Sequence, residues 1–203
     1  MSKEPRSEIA PAWHPGFSDA VERALAKWPN VPACYGWLSL DRRGRWRIAD
    51  GPITHAGAVA FLHAHYASDG DGRWYVQNGP QRAYVDLELA PWILGVEPDG
   101  SLRTQTGEPV ALSDVSGAIH LTEHGDVLLA TPRGLAAVSD RDLEAFTRLF
   151  EADAGADVVV RLAGLAPGRP IELRDRAGRR HRVDSGSEAE LLVRHGVQRR
   201  PRP

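Results

Sequence analysis

Residues 73–96 read RWYVQNGPQRAYVDLELAPWILGV, and this stretch decides the class of fold. Two runs alternate apolar and polar on either side of Asn78-Gly79, the strongest short-range cue for a two-stranded hairpin. Alternation at period two sends successive side chains to opposite faces of a strand. One face then collects Trp74, Val76, Val85, Leu87 and Leu89 and is the core face. The other collects Arg73, Tyr75, Gln77, Arg82, Tyr84, Asp86 and Glu88. Pro80 conflicts with an Asn78-Gly79 turn, because residue 80 would have to donate an N–H that proline lacks. A four-residue loop, Asn78 to Gln81, removes the conflict and sets Gln77 opposite Arg82 and Tyr75 opposite Tyr84. Pro91 then bends the chain into a further strand, WILGV.

Working outward, FSDAVERALAKW (17–28) predicts a helix, since Phe17, Val21, Leu25 and Trp28 fall on one face. YGWLSL and RWRIA flank the turn Asp41-Arg42-Arg43-Gly44, a second hairpin. Thr54 is placed to cap a helix over HAGAVAFLHAHY. Beyond the turn Pro98-Asp99-Gly100, residues 117–139 predict three short strands turning at His124-Gly125 and Arg133-Gly134. Ser139 is placed to cap a helix carrying Leu143, Phe146 and Phe150. DVVVRLAGL (157–165) reads as a strand, RPIELRDRAGRRHRV as two strands around Arg176-Ala177-Gly178, and EAELLVRH as a short helix after Ser187.

The class is therefore α+β, in two small units each made of antiparallel sheet plus helix. The expected division is a loose segment over 1–15, an N-terminal α+β unit over 16–100, a β-rich C-terminal unit over 101–195, and a disordered tail over 196–203. The two units raise an internal duplication. LDRRGRWRIA (40–49) matches LTEHGDVLLA (121–130) in residue type at an offset of 81. The helices that follow match at an offset of 85, with Thr54 against Ser139 and Phe61 against Phe146. Few identities accompany the match.

Composition narrows the function classes. Of 203 residues, 42% are hydrophobic and 26% charged, the balance of an ordinary globular domain. The net charge of −2 implies no acidic or basic partner by itself. Charge is uneven, however, since residues 169–203 hold ten Arg against five acids. Arg174, Arg176, Arg179, Arg180 and Arg182 could face nucleic acid, whereas the plainer reading is a solvated hairpin and a basic tail. Cys34 stands alone, so no intramolecular disulfide forms. No stretch approaches the roughly 20 apolar residues of a membrane span, and the N-terminus shows no secretory apolar core. A cytoplasmic location is expected.

No Gly-rich phosphate loop, HExxH, paired CxxC or GxSxG occurs. His63 and His65 lie about 200° apart around a helix and cannot share a metal. No catalytic residue, metal or cofactor is expected. The candidate ligand-binding set is Tyr75, Gln77, Arg82, Tyr84, Asp86 and Glu88, on the polar face of the hairpin. Tyrosine offers a ring and a hydroxyl, and Arg a forked cation that grips carboxylates. The competing readings are cross-strand pairing on an exposed sheet, or a face covered by another element. The function that follows is a non-catalytic cytosolic binding or adaptor module for a small molecule or a protein. One alternative is an enzyme with its site on the 73–88 face and a histidine such as His55. A second is nucleic-acid binding through the Arg-rich C-terminal hairpin.

The run WYVQNGPQRAYVDLELAPWIL, with YGWLSLDRRGRWRI and GPITHAGAVAFLHAHY before it, resembles a family of short proteobacterial proteins of unknown function over residues 17 to 150. The strand pair that ends Glu88-Leu89-Ala90-Pro91-Trp92 is similar, more loosely, to a second uncharacterised bacterial family built from two small α+β domains. The resemblance implies the fold class and the two-part organisation, and no activity.

Overall fold

The first half of the chain runs α1 (Asp19–Lys27), β1 (Cys34–Leu40), β2 (Trp46–Ile48), β3 (Gly51–Pro52), α2 (Ala56–Ala64), β4 (Tyr66–Ser68), β5 (Trp74–Asn78) and β6 (Gln81–Leu87). This is a computed structural model, and it describes residues 13–49, 51–152 and 157–203. Most of the segment expected to be loose, 1–15, therefore lies outside the described residues. The strands make a six-stranded sheet in the order β3-β2-β1-β6-β5-β4. Neighbours are antiparallel except β1 and β6, which run parallel with Leu38 opposite Val85 and Leu40 opposite Leu87.

The 73–89 hairpin has the expected register, Tyr75 opposite Tyr84 and Gln77 opposite Arg82. Its loop is shorter than expected, because Asn78 pairs with Gln81 and only Gly79 and Pro80 turn. Gly79 has φ +55°, which suits the first central position of a mirror-image hairpin turn. Pro80 then sits where the ladder asks for no N–H. Trp74, Val76, Val85, Leu87 and Leu89 are all buried.

The second half runs β7 (Trp92–Val96), β8 (Leu102–Thr104), β9 (Pro109–Val110), β10 (Ser116–Thr122), β11 (Val127–Thr131), β12 (Gly134–Val138), α3 (Leu143–Thr147), β13 (Phe150–Glu151), α4 (Val158–Ala163), β14 (Ile171–Asp175), β15 (Arg180–Gly186) and α5 (Glu188–Arg194). Its nine strands are ordered β13-β14-β15-β10-β11-β12-β7-β8-β9. The chain divides into two compact units, one of residues up to Asp41, Arg45–Pro91 and Leu192–Pro203, the other of Arg42–Gly44 and Trp92–Leu191.

Two expectations change here. The strand WILGV belongs to the second unit, because β7 pairs in parallel with β12, Trp92 opposite Ala136. The boundary therefore falls at residue 91. Residues 196–203 are not a loose tail. The Leu87 N–H donates to the Arg199 carbonyl at 2.8 Å, the Arg199 guanidinium donates to the carbonyls of Leu87 and Glu88, and Arg202 pairs with Asp86. β6 outruns β5 at this end, and the returning tail satisfies backbone groups that β5 does not reach.

The order of the first sheet recurs in the second. Hairpin β1–β2, strand β3, helix α2, then β4, β5 and β6 correspond to hairpin β10–β11, strand β12, helix α3, then β13, β14 and β15. In both, the last strand lies parallel to the first, with Leu38 opposite Val85 in one and Ile119 opposite Val183 in the other. The hairpin registers coincide at the offset of 81: Ser39 opposite Arg47, and His120 opposite Leu128. Gly36 and Gly117 share that offset and both have positive φ, +73° and +71°, each beside a shift in strand register. A bulge that needs φ > 0 selects glycine. The arrangement is compatible with a duplication, extended in the second unit by β7–β9 and α4.

The helix starts differ from expectation. The α2 cap is His55, whose side chain accepts from the Ala58 N–H, rather than Thr54. The α3 cap position is Asp142, while Ser139 is buried and its N–H donates to the Leu94 carbonyl. The run DVVVRLAGL, read as a strand, contains helix α4. Three valines favour a strand, but the Asp157 carboxylate accepts from the N–H groups of Val159 and Val160 and starts a helix.

Candidate binding groove on the first unit

The residues singled out on the hairpin come together as a covered cluster. Tyr75 and Tyr84 are buried with Ala67, and Phe17, Ala33 and Tyr35 pack over them. The Tyr35 and Tyr84 rings stack at 4.7 Å, and Tyr75 meets Tyr84 edge-on at 5.8 Å. The Arg82 guanidinium lies 4.5 Å from the centre of the Tyr75 ring. The Tyr84 hydroxyl donates to Asp69, which also receives the Arg73 side chain and the backbone N–H groups of Asp71 and Arg73. Burial raises the pKa of both phenols. Burial also opposes the charge of Asp69, but the hydrogen bonds from Arg73 and Asp71 outweigh it and hold the carboxyl below its ordinary value.

Gln77 is fully buried; its amide N–H donates to the Gly79 carbonyl, and its Oε1 has no hydrogen-bond partner among the described residues. Asp86 pairs with Arg202, and the Glu88 N–H donates to the Leu40 carbonyl. Of the candidate set, Tyr75, Tyr84 and Gln77 are thus buried, Asp86 is half-buried, and Arg82 and Glu88 stay exposed.

The Arg-rich C-terminal hairpin is laced with acids. Arg179 meets Asp175, Arg180 meets Glu172, Arg182 meets Asp184, and Arg176 donates to the Arg148 carbonyl. Asp175 also accepts from His181 at 3.0 Å. Burial works against its charge, yet the bonds from His181 and Arg179 bring its pKa below the ordinary range. Among the described residues no group of three His, Cys, Asp or Glu is placed to hold a metal ion, and no helix is long and apolar enough to cross a membrane.

The opening that the first unit does present lies on the other side of its sheet. A groove of about 590 Å³ is lined by Leu38, Ile48, Ile53, Phe61, Leu62 and Val76, with Cys34, Trp37, Asn78 and Ala83 completing it. No charged side chain lines it. Leu38 and Val76 are buried and form the floor, whereas Trp37 is 66% exposed, Ile48 55% and Phe61 37%. Such residues ordinarily lose water on folding, at roughly 1.5–3 kcal/mol for each large side chain fully covered. The helix α2 tells the same story. Its sequence, AGAVAFLHA, is apolar nearly all round, the pattern of a helix enclosed on every side. None of its residues is buried.

The sequence reading missed this groove, although two signals were present. In YGWLSL large apolar residues stand at both parities of the strand, Trp37 beside Leu38. In α2 there is no polar stripe to face water. Both say that more apolar surface exists than one sheet face can absorb.

No curated protein matches the chain. Among solved structures, a DUF1285 family protein from Silicibacter pomeroyi DSS-3 is similar, with 16% identity and a TM-score of 0.45 over 62% of this chain and 75% of that one. A DUF1285 family protein from Shewanella baltica OS155 is similar with 13% identity and a TM-score of 0.37, over 55% of this chain and 91% of that one. The family model described as "Protein of unknown function (DUF2946)" matches residues 17–202, further along the chain than the resemblance read from residues 17 to 150, and the chain belongs to this family, DUF2944.

Proposed function

We propose that the protein is a non-catalytic binding module, and that the groove between β1, β2, β6 and α2 takes up an apolar partner segment or ligand. The observation that carries this reading is the exposure of Trp37, Ile48 and Phe61 around one uncharged groove. Contiguous exposed apolar surface on a soluble fold marks a binding site, and the volume falls within the range of ligand sites, roughly 300–1,000 Å³. Binding there would draw on the hydrophobic effect, and the lack of charge in the lining selects against charged ligands, whose desolvation nothing would offset.

Titration with an uncharged apolar dye, Nile red, tests the reading. The full chain should bind the dye with an emission blue-shift, and Ile48→Asp and Phe61→Asp should each abolish it while the far-ultraviolet circular dichroism stays unchanged. Dye binding that survives both substitutions in a folded chain would refute the groove as a site.

A further inference from the structure

The chain carries its own example of what covers this face. The second unit has a cavity that shares four lining positions with the groove, while its Leu121, Val127, Phe150 and Val183 stand for residues outside the groove. Ile119 stands for Leu38 at the offset of 81, and Phe146 and Thr147 for Phe61 and Leu62 at the offset of 85. Leu173 stands for Val76, since each lies two residues along its strand from the partner of Val183 or Val85. One lining residue has no counterpart in the first unit: Leu162, from α4. Where α4 reaches the face, the space left is about 20 Å³, room for a single water. In the first unit the chain runs from β4 to β5 through the tight turn Asp69–Arg73, no helix is inserted, and about 590 Å³ stays open.

Burial follows the same division. Phe146 is buried where Phe61 is 37% exposed, and Leu129 is fully buried where its counterpart Ile48 is 55% exposed. The same sheet face, in the same register, is complete in one repeat and incomplete in the other. The second repeat adds two things the first lacks: the strands β7–β9 beyond β12, and the short helix α4, whose Leu162 lines the face beside the counterparts of Leu38, Phe61, Leu62 and Val76.

We infer that the groove of the first unit is the docking site for a short α-helix of a partner protein, seated as α4 is seated on the second unit and presenting a branched apolar side chain in the place of Leu162. This rests on the reading of the groove as a binding site and specifies its occupant. The partner helix needs little length, since α4 spans only six residues. Its contacting face is uncharged, because the lining supplies no ion-pair partner. Isolated helices this short are unstable in water, so the partner presents the helix preformed or folds it on the groove, which is helix-in-groove recognition.

The test uses the full chain and a defined probe, a hydrocarbon-stapled peptide of residues 157–166 (DVVVRLAGLA) with the staple away from Leu162. Binding is followed by the Trp37 indole N–H resonance and by displacement of Nile red. The stapled peptide should shift the Trp37 resonance saturably and displace the dye. Its Leu162→Asp version should bind roughly 10-fold more weakly or worse, the effect of losing one buried leucine. An unstapled Arg161→Pro version, which cannot form the helix, should fail. Ile48→Asp in the protein should abolish the shift.

If the dye binds at the groove but the stapled peptide does not displace it, the helix inference falls and the groove remains a site for another apolar ligand. The same holds if the proline version displaces the dye equally well. If the peptide binds but Ile48→Asp has no effect, it sits elsewhere and the inference falls. If dye binding itself ignores Ile48→Asp and Phe61→Asp, both readings fall.

Discussion

The first and second repeats share strand order and hairpin register, yet Leu129 is fully buried in one and its counterpart Ile48 is 55% exposed in the other. Topology and coverage are thus separate properties of this fold. The alternation of side chains and the placement of turns determine which strand lies beside which. Whether a face is then covered depends on what is added to the repeat: a six-residue helix between β13 and β14 and the strands β7–β9 beyond β12, against a tight turn between β4 and β5 and the two-residue edge strand β3. A repeat that keeps its topology and lacks its cover exposes surface that its sibling buries.

The sharpest way to break this comparison is to place one charge at both counterpart positions. Leu129→Asp removes a buried leucine and leaves a carboxylate in its cavity. The loss should exceed about 4 kcal/mol, since the transfer and cavity terms of leucine truncation alone reach 2–5. Amide hydrogen exchange should show the second unit losing protection. A loss below about 1 kcal/mol in thermal unfolding would mean that Leu129 is not the core residue its burial indicates.

A second pair probes the hairpin cores. Trp74 is buried in β5, while Ile171, which takes the same place in β14, is half-buried. Trp74→Ala should cost about 3–5 kcal/mol, as large core truncations do. Ile171→Ala should cost about 1–2 kcal/mol, because part of its surface already meets water. Denaturant midpoints at constant slope measure both. Equal costs would remove the asymmetry between the repeats.

Much of this was legible in residues. The 73–89 hairpin, its register and its buried Trp74, Val76, Val85 and Leu87 follow from alternation around Asn78-Gly79, and the α+β class follows from hairpins alternating with helical stretches. The recurring hairpin was visible at the offset of 81, because hairpin turns and bulges constrain residue type locally. What was not legible was long-range. Nothing local says that Phe17, Ala33 and Tyr35 pack on Tyr75 and Tyr84, so whether that face was open or covered stayed undecided in the sequence. Nothing local sends Arg199 back to Leu87 or joins β7 to β12, since those pairings link residues 44 to 112 positions apart. The α4 helix was missed because three valines outweighed one capping aspartate. Phe61, matched to Phe146 by the offset of 85, lies on the rim at 37% exposed where Phe146 is buried, a difference that no local residue pattern shows.

Two turn aspartates give a smaller, pH-dependent effect. Asp69 and Asp175 each accept the backbone N–H and the Nε of the Arg four residues on, and both have pKa values lowered on folding. A carboxyl that is more acidic folded than unfolded stabilises the fold above its unfolded pKa, about 3.9. That stability is lost as pH falls through the lower folded value. Unfolding free energy should therefore decline below about pH 4. Asp69→Asn and Asp175→Asn should each flatten the decline and cost about 1–2 kcal/mol at pH 7. An acid limb as steep as before in both variants would show that other carboxylates dominate it.

The smallest expected effect is the most informative. Ile48→Asp puts the charge that should wreck the second repeat at the counterpart position of the first. Ile48 lies on the rim of an uncharged groove with more than half its surface in water, so the new carboxylate stays hydrated and little apolar burial is lost. The change in stability should stay within about 0.5 kcal/mol, as for surface substitutions generally. Binding of an apolar dye or helix should nevertheless disappear, because the occupant would have to dehydrate the charge. Stability retained and binding lost is the signature of a face kept for a partner. If Ile48→Asp instead costs 3 kcal/mol or more, Ile48 belongs to the core, the first repeat is as complete as the second, and the contrast between them has no functional content.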